Sequence, residues 1–217
     1  MASTNDPHAG LPVLRRGPTA AQARLAVVLV HGRGDSAAGI LSLADAFDVA
    51  DVTWLAPQAA GNSWYPYSFL APMEQNEPGL TSGLGVIGSL VTLLESEGLA
   101  SDRIVLMGFS QGACLAQEFA ARNARPYAGV VGLSGGLIGP PGTSRSYSGS
   151  FAGTPVFLGC SDMDPHIPIE RVHESAATFD RMGAVVDERI YPRMAHTVNQ
   201  DEIDSVAALL AAGEVHS

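Results

Sequence analysis

Residues 104–112 read Ile-Val-Leu-Met-Gly-Phe-Ser-Gln-Gly. A short apolar run without polar alternation is what a strand covered on both faces looks like. After Gly112 come Ala113, Leu115 and Ala116, which are good helix formers. A strand must therefore turn into a helix within a few residues, with a hydroxyl at the bend. Glycines on both sides of Ser110 imply a turn so sharp that a Cβ at either position would strike neighbouring backbone. Such a turn lifts the serine hydroxyl above the sheet. It also leaves the N–H of Gln111 at a helix N-terminus, where the partial positive charge suits a developing oxyanion. The pattern is that of a nucleophile elbow. Ser110 is the candidate nucleophile, and the bland alternative is a structural Gly-Ser-Gly turn.

The rest of the chain fits that reading. Apolar runs of strand length recur at 25–30, 52–56, 128–133, 156–158 and 185–191. Helical periodicity lies between them: Ile40, Leu43, Ala44 and Phe47 share one face, as do Leu84, Ile87, Val91 and Leu94, and Ile169, Val172, Ala176 and Phe179. A final helix carries Ile203, Ala207 and Leu210, with Asn199 and Glu202 spaced as a cap. Alternating strands and helices predict an α/β fold, a mainly parallel sheet with helices on both faces. Its 217 residues suit one α/β domain over 1–217, with 1–20 expected to be a loosely ordered N-terminal segment. Two loops, 57–82 and 134–154, are long enough to be functional.

Sites in open α/β sheets form at the carboxyl ends of the strands. Those ends carry His31-Gly32-Arg33-Gly34-Asp35, then Ser110, then Asp162-Met163-Asp164-Pro165-His166, then Arg193-Met194-Ala195-His196. A serine hydroxyl needs a base within hydrogen-bond reach, and the base needs a carboxylate to fix its tautomer. His196, between the last strand and the last helix, is the favoured base, with His166 as its rival. Asp164, directed by the following proline, is the favoured carboxylate, with Asp162 as alternate. His31 reads as a structural hydrogen-bonder, His173 as a surface residue, and His8 and His216 as tail residues. The second oxyanion donor should be a backbone N–H after the first strand, by position that of Arg33. The Arg33 side chain reads as a surface group paired with Asp35, or as a receiver of an anionic part of a substrate. Trp64, Tyr65, Phe69, Leu70 and Met73 form an apolar cluster that either walls the substrate pocket or anchors the long loop.

Composition narrows the function further. The net charge is −10, which opposes nucleic acid as a partner. All 12 basic residues are arginine, which excludes Schiff-base lysine, Ser–Lys and P-loop chemistry. Cys114 and Cys160 have no metal or redox spacing and suit a reducing, cytoplasmic compartment. No signal peptide and no run approaching a membrane span is read, so stable membrane insertion is not expected. No cofactor is expected. Two rivals remain: a metal-assisted hydrolase using Asp162, Asp164 and His166, and a non-catalytic ligand-binding protein.

These stretches together resemble the phospholipase/carboxylesterase family of α/β-hydrolases, which includes the acyl-protein thioesterases. The likeness rests on residues 31–35, on Gly108-Phe109-Ser110-Gln111-Gly112-Ala113, on Leu133-Ser134-Gly135-Gly136, on Asp164-Pro165 with Ile167-Pro168, and on Met194-Ala195-His196 with Glu202-Ile203. The resemblance implies an α/β-hydrolase fold and a serine hydrolase of carboxylic esters, thioesters or lysophospholipids, acting on a small-molecule ester as a monomer or homodimer. It places the triad on Ser110, Asp164 and His196 and the oxyanion donors on Arg33 and Gln111. Short to medium acyl chains are the expected substrates.

Overall fold

A computed structural model describes residues 6–212, so His216 lies outside the described residues. Seven strands form one sheet in the order β1-β3-β2-β4-β5-β6-β7. The strands are β1 Val13–Arg16, β2 Leu25–Val30, β3 Val52–Pro57, β4 Ile104–Phe109, β5 Gly129–Leu133, β6 Pro155–Ser161 and β7 Val185–Tyr191. All neighbours pair in parallel except β1, which runs antiparallel to β3. The expected mainly parallel sheet is therefore found.

The continuous apolar runs have a simple cause. Side chains alternate faces along a strand, and both faces are covered. Val28, Leu106 and Val130 join the core under α2 (Gly79–Ser96), α3 (Gln111–Arg122) and α4 (Ile169–Arg181). Val27, Val105 and Val131 join a second core under α1 (Ala37–Leu41) and α5 (Gln200–Ala212). The helix expected around 40–47 is shorter than its pattern: α1 stops at Leu41, and 42–46 tighten into a 3₁₀ turn that still buries Ala44.

Residues 6–20 are not the loose segment expected. Residues 13–16 are the edge strand β1, and His8 is only 3% exposed. The strand has no apolar signature because it is held by backbone pairing from Val13↔Pro57 to Arg16↔Trp54, while its own side chains stay exposed. The expectation that no run approaches a membrane span is also corrected. By length and composition alone α2 qualifies, at a mean hydropathy of 1.3. It packs as a core helix, burying Leu80, Ile87, Val91 and Leu94.

The long loops are ordered by side chains that bind main-chain groups in place of a ladder. In 134–154, Arg171 donates to the carbonyls of Leu137 (2.6 Å) and Gly139 (2.7 Å), and Glu118 accepts the N–H of Ile138 (3.0 Å).

Candidate active site

Ser110 sits between β4 and α3 with φ 53° and ψ −122°, a conformation costing on the order of 1–3 kcal/mol for a residue with a Cβ. The glycines around it are obligatory. A Cβ on Gly108 would lie 2.4 Å from the carbonyl of Gly112, and one on Gly112 would lie 2.1 Å from the carbonyl oxygen of Val30. The bend is held by Ser110 N–H donating to Leu133 O at 2.9 Å.

Three side chains from separate strand ends meet here. The Ser110 hydroxyl donates to His196 Nε2 at 2.8 Å. His196 Nδ1–H donates to Asp164 Oδ2 at 2.6 Å. The side chain of Asp164 is fully buried, and its other oxygen accepts the N–H groups of His166 (2.8 Å) and Ile167 (3.0 Å). Burial would raise the Asp164 pKa, but the bond from His196 and the two amides outweigh it and hold the carboxyl below its ordinary range. An ionised Asp164 keeps the Nδ1 proton in place, which leaves Nε2 as the acceptor facing the serine. The Cys160 thiol, pushed up to about 12 by burial, stays protonated and lies 3.9 Å from the same carboxyl oxygen.

The rival residues are present in other roles. Asp162 accepts the N–H of Arg193 at 2.7 Å and so shapes the loop that delivers His196. The His166 ring stands edge-on to the His196 ring, 4.9 Å between centroids, while Phe109 packs 4.9 Å from His196 as well. Asp162, Asp164 and His166 thus do not converge. Among the described residues no group of three His, Cys, Asp or Glu is arranged to hold a metal ion.

The two candidate oxyanion amides flank the serine. Gln111 N–H opens α3, and the loop after β2 runs so close that a Cβ on Gly32 would lie 3.3 Å from Ser110 Cβ. Neither Arg33 N–H nor Gln111 N–H donates to a protein acceptor among the described residues. The Arg33 guanidinium is not paired with Asp35. It donates to Ser63 Oγ (3.0 Å), Pro66 O (2.9 Å) and Tyr67 O (2.6 Å), fastening the loop over the site.

A cleft of about 570 Å³ opens beside Ser110, and Tyr65 and Phe69 line it. Trp64, Leu70 and Met73 do not, which corrects their assignment to the pocket wall. Trp64 is completely buried, its indole N–H donating to His31 O at 2.9 Å. Leu70 and Met73 pack against the main core, Met73 Sδ lying 3.6 Å from the Arg122 guanidinium. Tyr67, Phe109, Cys114, His166 and Ile167 also line the cleft. For the last four, their place in the elbow and in the Asp164 loop was the available signal. His31 is the structural hydrogen-bonder expected: Nδ1–H donates to Gly32 O (2.7 Å) and Nε2 accepts the N–H of Ala59 (3.1 Å). Burial lowers its pKa and keeps it neutral, as that pattern requires.

Comparison with known proteins shows the family of the chain. The sequence profile of the Phospholipase/Carboxylesterase family matches residues 18–213. The crystal structure of a phospholipase/carboxylesterase from Dyadobacter fermentans superposes with a TM-score of 0.90 at 42% identity, over 93% of this chain and 97% of that one. Acyl-protein thioesterase 1 of Gibberella zeae is 26% identical over 89% of this chain and 92% of its own. Acyl-protein thioesterase 1 of Saccharomyces cerevisiae is also 26% identical, over 87% and 92%.

Proposed function

Because the chain belongs to the phospholipase/carboxylesterase family, we infer that it is an esterase-type serine hydrolase that works through an acyl-Ser110 intermediate. The observation that carries this reading is the unbroken hydrogen-bonded chain from Ser110 through His196 to Asp164. In the proposed reaction His196 Nε2 takes the serine proton as Oγ attacks the ester or thioester carbonyl. The N–H groups of Arg33 and Gln111 hold the oxyanion, and each such donor is worth roughly 100- to 1,000-fold in kcat. Asp164 steadies the imidazolium, which then protonates the departing alcohol or thiol. Water repeats the sequence and frees the acid and Ser110.

Tyr65 and Phe69 are proposed to contact the acyl chain, and the size of the cleft favours short to medium chains. The same proposal has the protein act on a small ester as a monomer or homodimer, without nucleic acid, in the cytoplasm. Its free, buried thiols Cys114 and Cys160 suit a reducing compartment.

The test is a p-nitrophenyl ester panel of increasing acyl length on wild type and Ser110→Ala, with a fluorophosphonate probe in parallel. Wild type is expected to hydrolyse short and medium esters and to label, and Ser110→Ala to do neither. Hydrolysis surviving in Ser110→Ala removes the nucleophile assignment. Wild type that neither labels nor turns over favours the non-catalytic binding reading.

A further inference from the structure

The wall of the cleft is a loop anchored by Trp64. Every polar group of this residue is used. Its N–H donates to the Gln111 side-chain carbonyl at 2.9 Å, and its indole N–H donates to His31 O. Its carbonyl accepts Nε2–H of His8 at 2.8 Å. The Gln111 amide completes the link by donating to Tyr65 O at 2.9 Å. Trp64 thus joins the elbow, the loop after β2 and the N-terminal segment.

His8 is the distant member of this set. Its ring packs edge-on to the Trp64 indole at 5.1 Å, while His31 lies 5.1 Å from the same indole. Its Nδ1 accepts the N–H of Ala60 at 3.0 Å, one residue beyond the amide that His31 accepts. Two consecutive loop amides are therefore held by two buried imidazoles. The segment around His8 is itself fastened to α2: His8 N–H donates to Ser82 Oγ at 3.0 Å, and the Ser82 hydroxyl donates to Asp6. The family match begins at residue 18, so Asp6 and His8 lie outside it while their partners Ala60, Trp64 and Ser82 lie within it.

We propose that His8 is a positioning residue for substrate binding: the segment 6–8 straps the loop 59–67 against the elbow, and His8 sets where Tyr65 and Tyr67 stand in the cleft. His8 touches no reacting atom. It acts through Trp64, whose neighbours Ser63 and Tyr65–Tyr67 are held in turn by Gln111 and Arg33. Both hydrogen bonds of its ring go to the loop backbone, and its own burial leaves it no other role at the surface. The inference rests on reading the cleft beside Ser110 as the substrate cleft.

The experiment combines ester kinetics with a signal from Trp64 that needs no catalysis. Residues 54 and 64 are the two tryptophans, so Trp54→Phe leaves Trp64 as the single reporter. His8→Phe keeps an aromatic ring against the indole and loses both hydrogen bonds. It is expected to raise KM about 10-fold while kcat changes less than about 2-fold, the pattern of lost binding rather than lost chemistry. Trp64 emission should shift to the red. His8→Gln, which can still donate to Trp64 O, should recover most of both readouts. Ser82→Ala frees the strap from α2 without touching Trp64 and should also raise KM, which keeps the test alive where His8→Phe fails to fold. Wild-type KM and unshifted emission in His8→Phe and Ser82→Ala overturn the proposal, as does a fall in kcat at unchanged KM. Absence of any ester hydrolysis in wild type defeats the esterase reading instead, and the Trp64 emission still reports on the strap.

Discussion

Glu202 offers a quantitative test of how the His196 loop is anchored. Asn199 and Glu202 form a reciprocal cap at the start of α5: Asn199 N–H donates to Oε2 and Glu202 N–H donates to Asn199 Oδ1, both at 2.9 Å. The carboxyl is completely buried, and Oε1 lies over Gly159 with no hydrogen-bond partner among the described residues. Burial raises its pKa from an ordinary 4.5 to about 7, helped by the nearby Asp201 and opposed by the Asn199 amide. Between those two values the unfolded chain has released the proton and the folded one still holds it. Stability contributed by the neutral carboxyl is therefore complete at low pH and lost as pH rises through about 7. At about 1.4 kcal/mol per tenfold change, the full loss is on the order of 3 kcal/mol. Glu202→Gln keeps an acceptor for the Asn199 amide and abolishes the titration. Urea unfolding of both proteins, at about pH 4 and again at about pH 8.5, gives the difference directly, because groups common to both cancel. The variant should match wild type in acid and exceed it by about 3 kcal/mol in base. A gap of equal size at both pH values would refute the argument, since it would mean that this carboxyl does not titrate on folding in that interval.

Two further outcomes follow from the site. Asp164→Asn leaves a side chain of the same shape but lets the amide donate to Nδ1, which selects the wrong tautomer of His196; kcat should fall about 1,000- to 10,000-fold with an unchanged circular dichroism spectrum. A loss of less than about 10-fold would remove Asp164 from the relay. Gly112→Ala drives a Cβ into the main chain at Val30, and backbone cannot yield as a side-chain tip can. It should cost more than about 3 kcal/mol, read as a large fall in melting temperature or in soluble yield, and a variant as stable as wild type would contradict the elbow geometry.

The parts of this protein that could be read in advance share a property: each is signalled by neighbours in sequence. β2 and β4 announce themselves by apolar runs because both of their faces are covered, and the elbow does so by glycines two residues either side of Ser110. Asp164 and His196 are already favoured over Asp162 and His166 by their places at strand ends and by the proline after Asp164; the structure joins the favoured pair by a hydrogen bond and turns Asp162 to the N–H of Arg193. What stayed hidden depends on pairs with no local signature. β1 is held by backbone pairing and by ion pairs from Arg15 to Glu97 and from Arg16 to Asp45, and the ring of His8 reaches Trp64 across 56 positions. An aromatic cluster says that a loop is packed, yet not which ring faces the cleft, so Trp64 and Tyr65, adjacent in the chain, take opposite roles.

That division has a physical origin. A strand or helix satisfies its own backbone by a repeating ladder, and the repeat appears in the sequence as a period. A loop that must keep a fixed shape has no ladder and must recruit donors and acceptors from wherever the fold supplies them. Here the suppliers are polar side chains: Gln111, Arg33, His8 and His31 for the wall of the cleft, and Arg171 and Glu118 for the loop 134–154. Each lies outside the loop it serves, so the loop's own sequence carries no sign of it. Their shared mark is chemical, namely a polar residue whose hydrogen bonds end on main-chain atoms of a loop. Removing one such side chain leaves the loop amide or carbonyl it served unpaired, at about 1–3 kcal/mol where that group is buried. The shape of the cleft wall therefore depends on side chains outside the loop itself, some beside Ser110, as Gln111 is, and some as distant in sequence as His8.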